Sequence, residues 1–259
     1  MLSRLIPAAL VGVALVPVAF AQEDEGSTQQ NEGPYVYSTY LICDTDKQWL
    51  ADELVNQYDS KAYAAAMEDG SISGWGWLAH HTGGQWRRVS YYVAPTLEAL
   101  LDAQDAVDAR REEQDSPQGS TSAFGQACGS HEDYIWQLVT GSQGAELDRE
   151  RGKAGLSVYH VCDIAGEERA DELVKSTFAS LYDAQVEKGN LTSWGWMQHI
   201  VGGKYRRLET MTGKDHKSVL RAREEIIEQL MSRHKAEADE FDSICSSHSD
   251  YLWDIVHEE

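Results

Sequence analysis

Ser73-Gly74-Trp75-Gly76-Trp77-Leu78-Ala79-His80-His81-Thr82-Gly83-Gly84-Gln85-Trp86-Arg87-Arg88 returns in the same chain as Thr192-Ser193-Trp194-Gly195-Trp196-Met197-Gln198-His199-Ile200-Val201-Gly202-Gly203-Lys204-Tyr205-Arg206-Arg207. Gly-Gly between two strand-like runs reads as a tight hairpin. Reading outward, residues 43–88 align without a gap on 162–207, with 19 identities in 46 pairs. Ala51-Asp52-Glu53-Leu54-Val55 matches Ala170-Asp171-Glu172-Leu173-Val174. A further block, Cys128-x-Ser130-His131-x-Asp133-Tyr134-x-Trp136, returns as Cys245-x-Ser247-His248-x-Asp250-Tyr251-x-Trp253. Two blocks in the same order mark a tandem duplication.

The rest of each copy reads around the hairpin. Residues 35–43 are aromatic and β-rich, a first strand. Asp44 or Asp46 can cap the following helix, where Leu50, Leu54, Tyr58, Ala62 and Ala65 recur at helical spacing until Gly70. In copy two Leu173, Thr177, Leu181 and Ala184 do the same until Gly189. A second helix is predicted over 97–113, matched by Val219, Leu220, Arg223, Ile226, Ile227 and Leu230. Short last strands are predicted at 134–139 and 251–256. Residues 115–120 interrupt copy one after its second helix, whereas copy two is expected to continue helically there.

The order β-α-β-β-α-β is the ferredoxin-like split βαβ unit, so the chain is read as α+β with two tandem repeats. In that unit the sheet order is 4-1-3-2. Cys43 then ends strand one, and Cys128 sits just before the neighbouring strand four. The same holds for Cys162 and Cys245, so two disulfides, 43–128 and 162–245, are expected. Zinc is the competing use of four cysteines, but none has close Cys-x-x-Cys spacing, and no metal is expected.

Two such units in one chain resemble the dimeric α+β barrel superfamily, which includes antibiotic-biosynthesis monooxygenases, stress-responsive A/B-barrel proteins and NIPSNAP-like proteins. The resemblance implies two sheets face to face, helices outside, and often a cavity in the barrel or between sheet and helices. It lives in topology. No catalytic motif of the superfamily is seen, so no residue role is carried over.

Residues 1–21 read as a secretory signal: Arg4, an apolar run, and Ala19-Phe20-Ala21 before the cut. Residues 22–33 form an acidic, polar leader. The repeats are set at 34–141 and 155–259, with a linker at 142–154. Net charge is −21, or −22 once Arg4 leaves with the signal. So acidic a surface opposes nucleic-acid binding and anionic membranes. The expectation is an exported protein, periplasmic or extracellular, with no membrane anchor after cleavage. It is expected to be monomeric, because one chain carries both halves of a pseudo-two-fold barrel.

Continuing the hairpin register places Leu78 opposite Val89, Trp77 opposite Ser90 and Ala79 opposite Arg88. One face then carries Gly76, Leu78, His80, Arg87, Val89 and Tyr91; the other carries Trp75, Trp77, Ala79, His81, Trp86, Arg88 and Ser90. The first face, with its glycine, is assigned to the helices and the Trp face to the lumen. Trp75, Trp77, Arg88, Trp194, Trp196, Arg207 and Glu209 are therefore the candidate ligand-binding residues, suited to a flat or anionic small molecule. Large aromatic side chains also fill space between layers with no ligand at all. His80 and His199, opposite Arg87 and Arg206, are secondary candidates as bases or turn-stabilising side chains. His131 and His248, each two residues before an aspartate, are the others, with strand-entrance capping as the plainer use. Asn190-Leu191-Thr192 matches a glycosylation sequon. The function expected is binding of a small ligand or partner without catalysis. The alternatives are a cofactor-independent or haem-assisted monooxygenase and an envelope interaction module. No cofactor is expected, with haem and flavin left open.

Overall fold

The computed structural model describes residues 33–113, 120–142 and 152–258. The signal segment, nearly all of the leader, residues 143–151 of the linker and most of the 115–120 interruption lie outside the described residues. Repeat 1 runs β1 (Tyr35–Ile42), α1 (Gln48–Leu54), a π-helical turn (Val55–Asp59), α2 (Ser60–Glu68), β2 (Gly74–Thr82), β3 (Arg88–Ala94), α3 (Leu97–Glu113), α4 (Ser120–Ala127) and β4 (Ser130–Ser142). Repeat 2 runs β5 (Ala154–Val161), a 3-10 turn (Ile164–Gly166), α5 (Glu167–Leu173), a π-helical turn (Val174–Phe178) and α6 (Ala179–Glu187). It continues with β6 (Ser193–Val201), β7 (Arg207–Gly213), α7 (His216–Arg233), α8 (Lys235–Ile244) and β8 (Ser247–Glu258).

Each repeat has the expected 4-1-3-2 order, β4-β1-β3-β2 and β8-β5-β7-β6. The two sheets do more than face each other. β2 pairs with β8 and β4 with β6, which closes one eight-stranded barrel. Closure leaves no edge open among the described strands for pairing with another chain. The registers of the copies are superimposable: Tyr35 pairs with Ala94, and Ala154 with Gly213, each shifted by 119 residues.

The hairpin register holds, with Leu78 on Val89, Trp77 on Ser90 and Ala79 on Arg88. Its end opens into a loop, since β2 stops at Thr82 and β3 starts at Arg88. A side chain on Gly83 or Gly84 would run into Tyr251 of the other repeat, so the glycines serve a close crossing as well as a turn.

The assignment of faces is reversed. Trp75 and Trp77 lie in a core with Ala51, Val55, Ala62, Tyr63, Ala66 and Leu100, beneath the helices. Trp194 and Trp196 lie in the matching core with Ala170, Leu173, Val174 and Val219. The glycine face turns to the lumen instead. A methyl at Gly76 would meet the ring of Tyr91, its cross-strand neighbour, so the glycine makes room for a lumen side chain and not for a helix. The lumen is packed with rings from both repeats: Tyr40, Trp86, Tyr134 and Trp136 against Tyr159, Tyr205, Tyr251 and Trp253. Tyr40 stacks on Trp86 at 4.3 Å, and Trp86 on Tyr251 at 5.0 Å. Trp136 donates to the Tyr40 hydroxyl at 3.1 Å, and Trp253 to Ser157 at 3.2 Å. Burial pushes the Tyr40 hydroxyl up to about 12. Trp86 lies in the lumen as expected, but not on one face with Trp75 and Trp77, because the loop before β3 breaks the alternation there.

The disulfides Cys43–Cys128 and Cys162–Cys245 form at the same end of neighbouring strands. Such bonds fit an oxidising compartment. Copy two does not continue as one helix after α7; the chain breaks at His234 and resumes as α8. β4 and β8 are longer than expected and already include His131 and His248. No helix among the described residues is long and apolar enough to cross a membrane.

Candidate functional site

The Ala-Asp-Glu-Leu-Val stretch closes the first helix of each copy, runs into the π-helical turn, and sets its aspartate against the sheet. Asp171 accepts from Trp196 Nε1 at 2.7 Å and from Arg207 Nε and Nη2 at 2.7 and 2.8 Å. Asp52 does the same for Trp77 at 2.8 Å and for Arg88 at 2.6 Å twice. A two-pronged guanidinium–carboxylate contact is strong and directional. In copy two Glu167 adds bonds to Arg206 Nε at 2.6 Å and Arg207 Nη1 at 3.0 Å. Burial pushes Glu167 up, but these arginine bonds outweigh it and hold its carboxyl below the ordinary range. Arg88 and Arg207 thus fasten helix to sheet. The aspartates went unread as partners, although their identity in both copies was the available signal.

Beside this clamp, repeat 2 holds a cavity of about 220 Å³ between its sheet and its helices. Its walls are largely apolar: Val158, Val174, Phe178, Trp194, Trp196 and Met211 are among them. The π-helical turn supplies Val174 and Phe178, and such turns recur at functional sites. Ile227 and Met231 of α7 also line it and are about half exposed, so the cavity reaches solvent along that helix.

Two ionisable groups stand in this apolar wall. His160 of β5 is 6% exposed, and neither of its ring nitrogens has a hydrogen-bond partner among the described residues. Glu209 of β7 lies 3.7 Å from its Nε2, too far for a hydrogen bond. Glu209 is bonded to Tyr182, whose hydroxyl is raised well above its ordinary value by burial and by that carboxylate. At the rim, Arg223 donates to Asp250 at 2.6 Å, and Asp250 lies 2.7 Å from His248 Nδ1.

Repeat 1 uses the corresponding positions differently. Leu41 stands for His160, Asp59 for Phe178, Ser90 for Glu209 and Arg111 for Leu230, all at the 119-residue shift. There Arg111 Nε pairs with Asp59 at 3.1 Å, Arg111 donates to Tyr63 at 3.0 Å, and Tyr63 meets Ser90 at 3.2 Å. Duplication produced two equal frames, and only the second carries a buried histidine in this wall.

Of the residues singled out by sequence, Trp194, Trp196, Glu209 and His248 line the cavity. Arg207 lies behind it in the clamp. Trp75, Trp77 and Arg88 belong to repeat 1: Trp75 stacks on Tyr63 at 4.7 Å, and Trp77 and Arg88 share Asp52. The lumen-edge position read for Arg88, Arg207 and Glu209 is overturned with the faces. His80 and His199 sit edge-on to lumen rings, and Arg206 donates to His199 Nδ1 at 2.7 Å. Burial, then the neighbouring arginine, lowers the pKa of both. His131 pairs with Asp133 at 3.2 Å on an exposed strand start. His160 escaped the sequence reading because it replaces a leucine and belongs to no motif.

No family model and no curated protein matches the sequence. Solved structures do match. A candidate monooxygenase from Lactobacillus acidophilus aligns at a TM-score of 0.57 and 8% identity, over 88% of this chain and 96% of that one. An anthrone oxidase-like protein aligns at 0.54 and 10%, over 89% and 94%. A candidate chlorite dismutase aligns at 0.52 and 7%, over 87% and 95%. Identities this low speak for the fold alone. With a closed eight-stranded barrel flanked by helices and built from two ferredoxin-like repeats, the chain has the fold of the dimeric α+β barrel superfamily, both halves supplied by one polypeptide.

Proposed function

We propose that the chain binds a small aromatic molecule with one hydroxyl or similar polar group in the cavity of repeat 2. His160 carries this reading: a buried imidazole with two unpartnered nitrogens is costly unless something bonds to it. The volume sets the size. A cavity of roughly 150 Å³ is known to hold benzene, so about 220 Å³ suits a single substituted ring. It falls below the ~300–1,000 Å³ usual for larger ligands and cofactors. His160 is a residue type that ligates haem iron, but a haem or flavin would require this cavity to widen.

Calorimetric titration with phenol and with benzene tests the reading. Phenol should bind more tightly than benzene to the wild type. The preference should vanish in His160→Leu, which installs the repeat 1 residue. Equal affinities in the wild type, or a preference that survives in His160→Leu, would refute it.

A second reading makes the pocket a reaction site, and the His160–Glu209 geometry favours it. Glu209 would stabilise the imidazolium formed when His160 takes a proton from a bound hydroxyl. The fold's likeness to candidate monooxygenases supports oxygen as the co-substrate. Oxygen uptake with a phenolic substrate, lost in His160→Leu, would distinguish catalysis from binding.

The disulfides and the signal-like N-terminus support export to a periplasmic or extracellular space. The intrachain closure of the barrel supports a monomer. A dimer mass by sedimentation, or a disulfide-free chain from its native host, would contradict these.

A further inference from the structure

The two seams where the repeats join are not equivalent. At the β2–β8 seam, His81 of β2, His216 at the start of α7 and Asp254 of β8 bring one donor atom each to within 4.8 Å of one another. His81 Nδ1 lies 3.5 Å from one Asp254 oxygen, and His216 Nε2 lies 3.3 Å from the other. The two imidazoles are 3.9 Å apart at their centroids. His81 falls at an irregularity in the strand pairing, between His80 and Thr82. A bulge there re-aims a side chain out of the regular alternation. At the other seam the same positions are Ile200, Leu97 and Gln137, which offer no such set.

We propose that this seam binds one divalent transition-metal ion of the zinc class through His81 Nδ1, His216 Nε2 and Asp254. Two imidazoles and a carboxylate are a common donor set for such ions, with the remaining position open to water. Bonds of about 2.0–2.1 Å in a tetrahedron put neighbouring donors about 3.3 Å apart. The two histidine–aspartate distances are close to that spacing but run to different Asp254 oxygens, so the carboxylate faces the site with both. Two adjustments are required. The rings lie within 22° of parallel and must turn so that their lone pairs converge. His81, 46% exposed, is free to do so. His216 Nε2 must also release its 3.2 Å contact with the Trp253 carbonyl. The three ligands come from both repeats, so the ion would tie one repeat to the other across the seam. No sequence spacing links residues 81, 216 and 254, and the expectation of no metal weighed only the cysteines.

The test is titration of the signal-cleaved chain with Zn²⁺ alone by calorimetry, and with Co²⁺ by visible absorbance. One ion per chain is expected, with a Co²⁺ spectrum of low coordination number. His81→Ala, His216→Ala and Asp254→Asn should each weaken binding at least about tenfold. His248→Ala should leave it unchanged. Zn²⁺ should raise the melting temperature of the wild type and not of His81→Gln, a conservative change at an exposed site. Zn²⁺ affinity unaltered in His81→Ala, or loss of binding only in His248→Ala, would overturn the proposal. So would a Co²⁺ spectrum of the fully hydrated ion.

Discussion

Replacing Arg207 by alanine separates a structural arginine from a ligand-binding one. Its side chain is 3% exposed and joins Asp171, 13% exposed, and Glu167, 14% exposed. Removing it strips Asp171 of its two-pronged partner and Glu167 of one of its two arginines, Arg206 remaining. Breaking a buried pair from one side costs about 3–5 kcal/mol. In a domain of this size each kcal/mol moves the melting temperature by about 2–4 °C, so a fall of about 6–20 °C is expected. Arg207→Lys should fall between, because it keeps the charge but loses the fork held by Asp171. Arg88→Ala should cost less than Arg207→Ala, since Asp52 is 30% exposed and water compensates it better. Scanning calorimetry of the purified variants reads all three. An Arg207→Ala melting temperature equal to the wild type's would refute the clamp and return Arg207 to the role of ligand contact.

Acid should act through Glu167. Its folded pKa lies below the ordinary 4.5, so its contribution is present above that value and is lost as pH falls through the folded pKa. Denaturant titrations at stepped pH should show Glu167→Gln flattening the acid limb; an unchanged limb would contradict the pairing. His80 and His199, also lowered, act in a higher window: stability should begin to fall as pH drops below 6.5 and level off below their folded values. His199→Gln should remove part of that slope, and a slope identical to wild type would count against the buried neutral imidazole. Reducing each disulfide reopens a span of 85 or 83 residues and should cost about 4 kcal/mol by chain entropy. Unaltered midpoints in denaturant under reducing conditions would rule that out.

The fold was legible because duplication shows each signal twice. Gly83-Gly84 and Gly202-Gly203 marked the hairpins, and the ungapped run from 43 to 88 fixed one topology for both copies. The disulfide pairing followed from strand order. The faces were misread because glycine is ambiguous: Gly76 leaves space, but the sequence does not say whether a helix or Tyr91 takes it. Indole nitrogens need partners, and Asp52 and Asp171 were in plain view as repeat identities. Pairing them with Trp77 and Trp196 would have placed the Trp face under the helices. The cavity itself was not legible. It rests on differences between the copies, His160 for Leu41 and Phe178 for Asp59, and a reading guided by identities passes over those positions. The bare imidazole is visible only once burial and partners are known.

Intermolecular nuclear Overhauser effects from bound phenol, measured on the isotope-labelled chain, locate the ligand. Contacts are expected to the His160 ring and to Val174, Phe178 and Met211, and none to Val36 or Leu208 in the lumen. Contacts to the lumen residues in place of these, or none to His160, would place the ligand elsewhere and refute the repeat 2 site.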